Sequence, residues 1–135
     1  MATKMQAGSS KAREAVVPQP VVWFEVVGKN GPALQRFYGR LFNWQISDAG
    51  DGSGYGIVQG AEKGIGGGVG KSADGGPGHV TFYVEVDDPA AYLNRAGQLG
   101  GSVVLPPTEI PQFHLTFAMF TDPEGHLIGL SKGAV

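Results

Sequence analysis

The residue of this chain best placed to do chemistry is Glu25, a single carboxylate inside the apolar, β-branched run VVWFEVVG at 21–28. A carboxylate on such a strand needs a partner if it is buried. That makes it a candidate general base or ligand anchor, against the plainer reading of a rim-exposed or structurally paired glutamate. Three histidines accompany it: His79 opens the run HVTFYVEV, His114 follows IPQF, and His126 follows the turn DPEG. His114 and His126 have no carboxylate at metal-ligand or triad spacing. No GxSxG, HExxH or Cys nucleophile is present. The chain has no cysteine at all, which excludes disulfides, thiolate catalysis and Cys-ligated zinc. The glycines of 70–78 do not fit a dinucleotide fingerprint between a strand and a helix.

The elements that position these residues are legible from periodicity. The run 21–28 reads as a strand with Val22, Phe24 and Val26 on one face and Trp23, Glu25 and Val27 on the other. Pro32 suits a helix start. Leu34, Phe37, Tyr38, Leu41 and Phe42 follow at helical spacing, which predicts a buried stripe facing a sheet, ending near Asn43. Short strands are expected at 44–48 and 55–59, and a poorly defined one in GIGGGVGK. A second strand–helix pair follows: 79–86, then a helix capped by Asp87 or Asp88, started by Pro89 and ended at Gly100-Gly101. Strands at 102–105, 114–121 and 126–131 close the chain, with Pro106-Pro107 expected as a turn and Asp122–Gly125 as another.

These two halves repeat. Sliding 24–44 onto 82–102 by about 58 positions aligns Phe24 with Phe82, Val26 with Val84 and Leu41 with Leu99. The expected fold is therefore α+β, two tandem βαβββ modules in one curved, half-open barrel-like sheet with helices outside. Residues 1–20 read as a flexible tail, 21–70 as the first module, 71–78 as a Gly-rich linker and 79–135 as the second module. Ligands of such repeats tend to bind in the concavity between modules.

Composition bounds the partners. Hydrophobic residues at 41% against 16% charged argue for a folded chain. A net charge of −2 argues against nucleic acid or an anionic membrane surface. No run approaches the ~20 apolar residues of a membrane span, and no secretory h-region opens the chain. The expected setting is cytoplasmic.

The segments WFEVVGKNGPALQRFYGRLFNWQI (23–46) and FAMFTDPEGHLIGL (117–130), with the repeat, resemble the vicinal oxygen chelate superfamily of glyoxalases, bleomycin resistance proteins and extradiol dioxygenases. The resemblance spans about 21–132. It implies a cleft lined by both modules, a homodimer as a common state, and in the enzymes a divalent metal held by His, Gln or Glu. The positions it assigns to those ligands are Trp23, Thr81, Gly129 and one residue within 64–70. Tryptophan and glycine cannot ligate, and threonine is a poor ligand, so no metal and no other cofactor is expected. Glu25 and His79, each on the cleft side of its strand, are the exception: together they offer an acid–base pair or a weak divergent metal site. Strand parity adds Trp23, Tyr55, Thr81, Tyr83, Phe117 and Met119 to the lining, with Leu115, which suits a small apolar or aromatic molecule. The expectation is a small-molecule-binding protein. The alternatives are a lyase or isomerase acting through Glu25, and a subunit whose cleft is packed shut.

Overall fold

The computed structural model describes residues 17–133; of the expected tail at 1–20, residues 1–16 lie outside the described residues. The elements run β1 (Val21–Gly28), α1 (Gly31–Phe42), β2 (Ile46–Asp48), β3 (Gly56–Val58), β4 (Gly66–Lys71), β5 (His79–Glu85), α2 (Pro89–Gln98), β6 (Ser102–Ile110), a 3₁₀ turn (Pro111–Phe113), β7 (Leu115–Thr121) and β8 (Leu127–Gly133). The eight strands form one sheet in the order β2-β3-β4-β1-β5-β8-β7-β6. β1 pairs parallel with β4 and β5 parallel with β8, while β1 and β5 meet antiparallel at the centre. The two halves are thus the same βαβββ unit joined edge to edge, an α+β curved open sheet as the repeat predicts.

Both helices start as the sequence dictates. The side chains of Asn30 and Asp88 accept hydrogen bonds from the amides of Ala33 and Ala91, 3.0 and 3.1 Å away. A proline follows each cap, where a missing N–H costs nothing. Asn43 ends α1 in the left-handed region at φ 59°, which a short polar side chain tolerates. α2 packs Leu93 against Val86, Ala118 and Leu130, with Val84, Tyr92 and Phe120 around them. Those residues fix the helix-bearing face of the sheet. By the two-residue period of a strand, Thr81, Tyr83, Phe117, Met119, Gly129 and Ser131 lie on the opposite face.

Three expectations are corrected. The stripe on α1 is not buried as a whole: Phe37, Leu41 and Phe42 are each more than half exposed. The sheet beneath α1 is the reason. β4 reads GGGVGK and offers the helix almost no side chains, so Tyr38 instead joins Trp44 and Phe24 in an aromatic cluster (Tyr38–Trp44 centroids 5.8 Å, Phe24–Trp44 5.2 Å). Second, that glycine run is a regular strand of six residues, hydrogen-bonded between β1 and β3. Gly67 is required there because a Cβ would enter the ring of Phe24. Third, Pro106-Pro107 is no turn. Both lie inside β6, the edge strand, where register shifts between Val103, Leu105 and Thr108 absorb their missing N–H groups.

Candidate functional site

Five side chains from β1, the approach to β3, and β5 converge on the helix-free face. Glu25 is the hub. Tyr55 donates its phenol proton to Glu25 Oε1 at 2.9 Å and itself accepts from Trp23 Nε1 at 3.0 Å. Tyr83 donates to Glu25 Oε2 at 3.1 Å, and His79 Nε2 lies 2.7 Å from the same oxygen. The side chain of Glu25 is 12% exposed and that of His79 27%. A carboxylate in this setting is stabilised only because each oxygen has donors, and here both have. The phenols are fixed as donors: burial first, then the negative charge of Glu25, pushes the ionisation of Tyr55 and Tyr83 well above the ordinary value of 10.0.

The backbone makes room for this cluster at two matching points. In the β1–β4 register Glu25 stands opposite Gly68, and in the β5–β8 register Tyr83 stands opposite Gly129. A Cβ on Gly68 would enter the phenol of Tyr55, and a Cβ on Gly129 the ring of Tyr83. Each tyrosine therefore lies flat across a glycine of the neighbouring strand. The repeat is visible again in this arrangement, since Tyr83 follows Glu25 by 58 residues.

The remaining predicted lining residues sit around this hub. Phe117 packs on Tyr83, ring centroids 6.5 Å apart. Met119 is buried beside Gly129 in the β7–β8 register. Thr81 is buried, and its hydroxyl donates to the carbonyl of Leu127 at 2.5 Å. Leu115 is half-buried at the start of β7. His114 and His126 are not part of the cluster: His114 is exposed in a left-handed conformation, and exposed His126 contacts Asp122 at 3.0 Å beside its turn. Asp122 Oδ1 meanwhile accepts from the amides of Glu124 and His126, which shapes that turn.

Sequence reasoning missed three residues of the site. Gly68 and Gly129 act by the space they leave, and a glycine's place in the register, opposite Glu25 and Tyr83, is not readable from local pattern. Ser131, 2% exposed on the same face, has a hydroxyl without a hydrogen-bond partner among the described residues.

The donor set does not fit a divalent metal. Of the positions where the superfamily resemblance puts ligands, Trp23 spends its only N–H on Tyr55, Thr81 spends its hydroxyl on a carbonyl, Gly129 is covered by the ring of Tyr83, and the stretch 64–70 holds only glycines, Ile65 and Val69, with Gly68 covered by Tyr55. No group of three or more His, Cys, Asp or Glu stands together among the described residues. Two surface depressions lie on the helix-bearing side, away from Glu25. One, of about 400 Å³, runs along α2 between Tyr92, Leu99 and Phe120; the other is a shallow patch on α1 around Phe37 and Leu41. No described helix is long and apolar enough to cross a membrane.

Comparison with known proteins adds a family and a fold. Residues 21–130 match the family model described as Glyoxalase/Bleomycin resistance protein/Dioxygenase superfamily. Among curated proteins, "Putative glyoxylase CFP32" of Mycobacterium bovis is 27% identical over 116 residues, which is 84% of this chain and 44% of that protein. The chain thus spans less than half the length of the curated relatives it matches. Among solved structures, a member of the same superfamily from Vibrio splendidus 12B01 superposes with a TM-score of 0.58 at 14% identity, covering 85% of this chain and 99% of the other. Methylmalonyl-CoA epimerase from Mycobacterium tuberculosis gives 0.58 at 14% identity, over 92% and 96% of the two chains. At such identities these likenesses speak for the fold alone.

Proposed function

The chain belongs to the glyoxalase/bleomycin resistance protein/dioxygenase superfamily, and from that premise we propose that it is a metal-independent small-molecule-binding member. One observation carries the reading: the positions the resemblance gives to metal ligands hold Trp23, Thr81 and glycine, with tyrosine rings against Gly68 and Gly129, and beside them Tyr55, Glu25, Tyr83 and His79 are already hydrogen-bonded to one another. What such a face offers a ligand is aromatic area from the half-buried rings of Trp23, Tyr55 and Phe117, around one fixed polar hub, with Tyr83 and Met119 buried behind them. Stacking supplies most of the affinity, and the hub orients. The expected occupant is a small apolar or aromatic molecule. The same reading takes the protein as a cytoplasmic homodimer with no nucleic-acid or membrane partner; light scattering tests the dimer.

A second reading has its own observation. Glu25 and His79 are 2.7 Å apart and both partly buried, the geometry of a proton-transfer pair. It makes the protein a lyase or isomerase.

The experiment is a thermal-shift screen of the purified protein against flat aromatic molecules and against Ni, Zn, Mn, Co and Mg. Binding raises the melting temperature in proportion to occupancy. A shift of several degrees with an aromatic compound and none with the metals supports the proposal. A stoichiometric metal, with a shift lost in Glu25→Gln, would overturn it. Turnover of a bound compound that disappears in a folded Glu25→Gln protein would favour the second reading.

A further inference from the structure

The Glu25 cluster leaves one ring nitrogen over. Tyr55 uses its proton on Glu25 and its lone pair on Trp23; Tyr83 uses its proton on Glu25. A carboxylate only accepts, so the proton of the His79–Glu25 bond belongs to His79 Nε2. In the neutral imidazole that fixes the tautomer: Nε2 carries hydrogen and Nδ1 is a bare acceptor. No hydrogen bond to Nδ1 is made by any described residue. His79 is also the more accessible member of the pair, 27% exposed against 12% for Glu25, whose two oxygens already receive three groups.

Resting on the reading of this face as a small-molecule site, we infer that His79 is the residue that meets the ligand, that Glu25 is its positioning residue, and that the ligand is an aromatic molecule carrying an acidic hydroxyl. The ring of such a molecule suits the half-buried aromatic side chains of Trp23 and Phe117, with buried Tyr83 between them. Its phenol- or enol-type O–H donates to His79 Nδ1. A bare ring nitrogen that no described residue satisfies selects a donor, because a ligand without one leaves that nitrogen unpaired. Glu25 acts through the imidazole, as a carboxylate does when it orients a histidine and holds its tautomer.

The test uses the full-length protein labelled with ¹⁵N-histidine, with 4-nitrophenol as the hydroxylated probe and nitrobenzene as its hydroxyl-free counterpart. In the free protein the ¹⁵N shifts of His79 should report hydrogen on Nε2 and none on Nδ1. Added 4-nitrophenol should move the Nδ1 resonance and bind about tenfold more tightly than nitrobenzene, the worth of one hydrogen bond. His79→Lys is the informative variant. Its ammonium can still donate to Glu25 and offers no acceptor in place of Nδ1, so the preference for 4-nitrophenol should vanish while nitrobenzene still binds. A protonated Nδ1 in the free protein, or a preference retained in His79→Lys, would overturn the inference. If nitrobenzene binds this face as well as 4-nitrophenol, the small-molecule site stands and the role of His79 falls. If neither probe binds, both fall. Should His79→Lys fail to fold, the tautomer and the Nδ1 shift in the wild-type protein decide alone.

Discussion

Replacing Gly68 with alanine should dismantle the cluster from behind. Gly68 has no positive φ, so alanine is acceptable to the backbone, and the penalty comes from the side chain alone. Its Cβ would enter the phenol of Tyr55, which lies across the strand. The ring must leave, and with it go the 2.9 Å bond to Glu25 and the 3.0 Å bond from Trp23. A hydrogen bond to a charged group is worth about 1.5–3 kcal/mol and a neutral one about 0.5–1.5. The smaller entropy of the unfolded alanine chain returns about 0.4–1 kcal/mol. The net loss is about 2–3 kcal/mol, a fall in melting temperature on the order of 10 °C. Urea unfolding followed by circular dichroism measures it, with Tyr55→Ala as the second arm of a double-mutant cycle. In the Tyr55→Ala background the extra methyl meets no ring, and Gly68→Ala should cost less than about 0.5 kcal/mol. A Gly68→Ala protein as stable as wild type would refute the reasoning. So would an equal loss in both backgrounds, since the penalty would then come from the strand and not from Tyr55.

Two further outcomes follow from the same cluster. Tyr55 and Tyr83 ionise less readily folded than unfolded, so their contribution to stability is present in full below pH 10.0 and is lost as pH rises beyond it. The slope should be about 1.4 kcal/mol per pH unit for each tyrosine. Urea midpoints between pH 8 and 11 measure it, and Tyr55→Phe should remove about half of the tyrosine-linked slope. A flat profile would show that the phenols are not held as donors. Ser131→Ala removes a buried hydroxyl that has no partner among the described residues and should leave stability unchanged or raise it by about 1 kcal/mol. A clear loss in thermal denaturation would mean that the hydroxyl is anchored by something outside the protein chain, such as an ordered water.

Much of the architecture is written locally. The strand VVWFEVVG, the Asn30 and Asp88 caps with their prolines, and the Asp122–Gly125 turn each depend on neighbours within a few residues, so periodicity and turn chemistry suffice to read them. The repeat then fixes the module order, and strand parity places Trp23 and Glu25 on one face and Phe24 on the other. What local patterns could not supply is pairing. The glycine run of β4 has no side-chain period to read, yet it is a strand inside the sheet because β1 and β3 supply its hydrogen bonds and because Phe24 and Tyr55 need the space. The double proline reads as a turn until the sheet makes β6 an edge, where unpaired positions are harmless. The exposure of Phe37, Leu41 and Phe42 likewise depends on how little the strand beneath α1 presents. The sequence by itself determined that a lone carboxylate would sit on an apolar strand beside aromatic neighbours. Only the tertiary structure decided that Tyr55, His79 and Tyr83, at separations of 30, 54 and 58 residues, all reach that carboxylate. Such convergence depends on strand register and on two glycines that leave room, and neither is encoded in the residues next to Glu25.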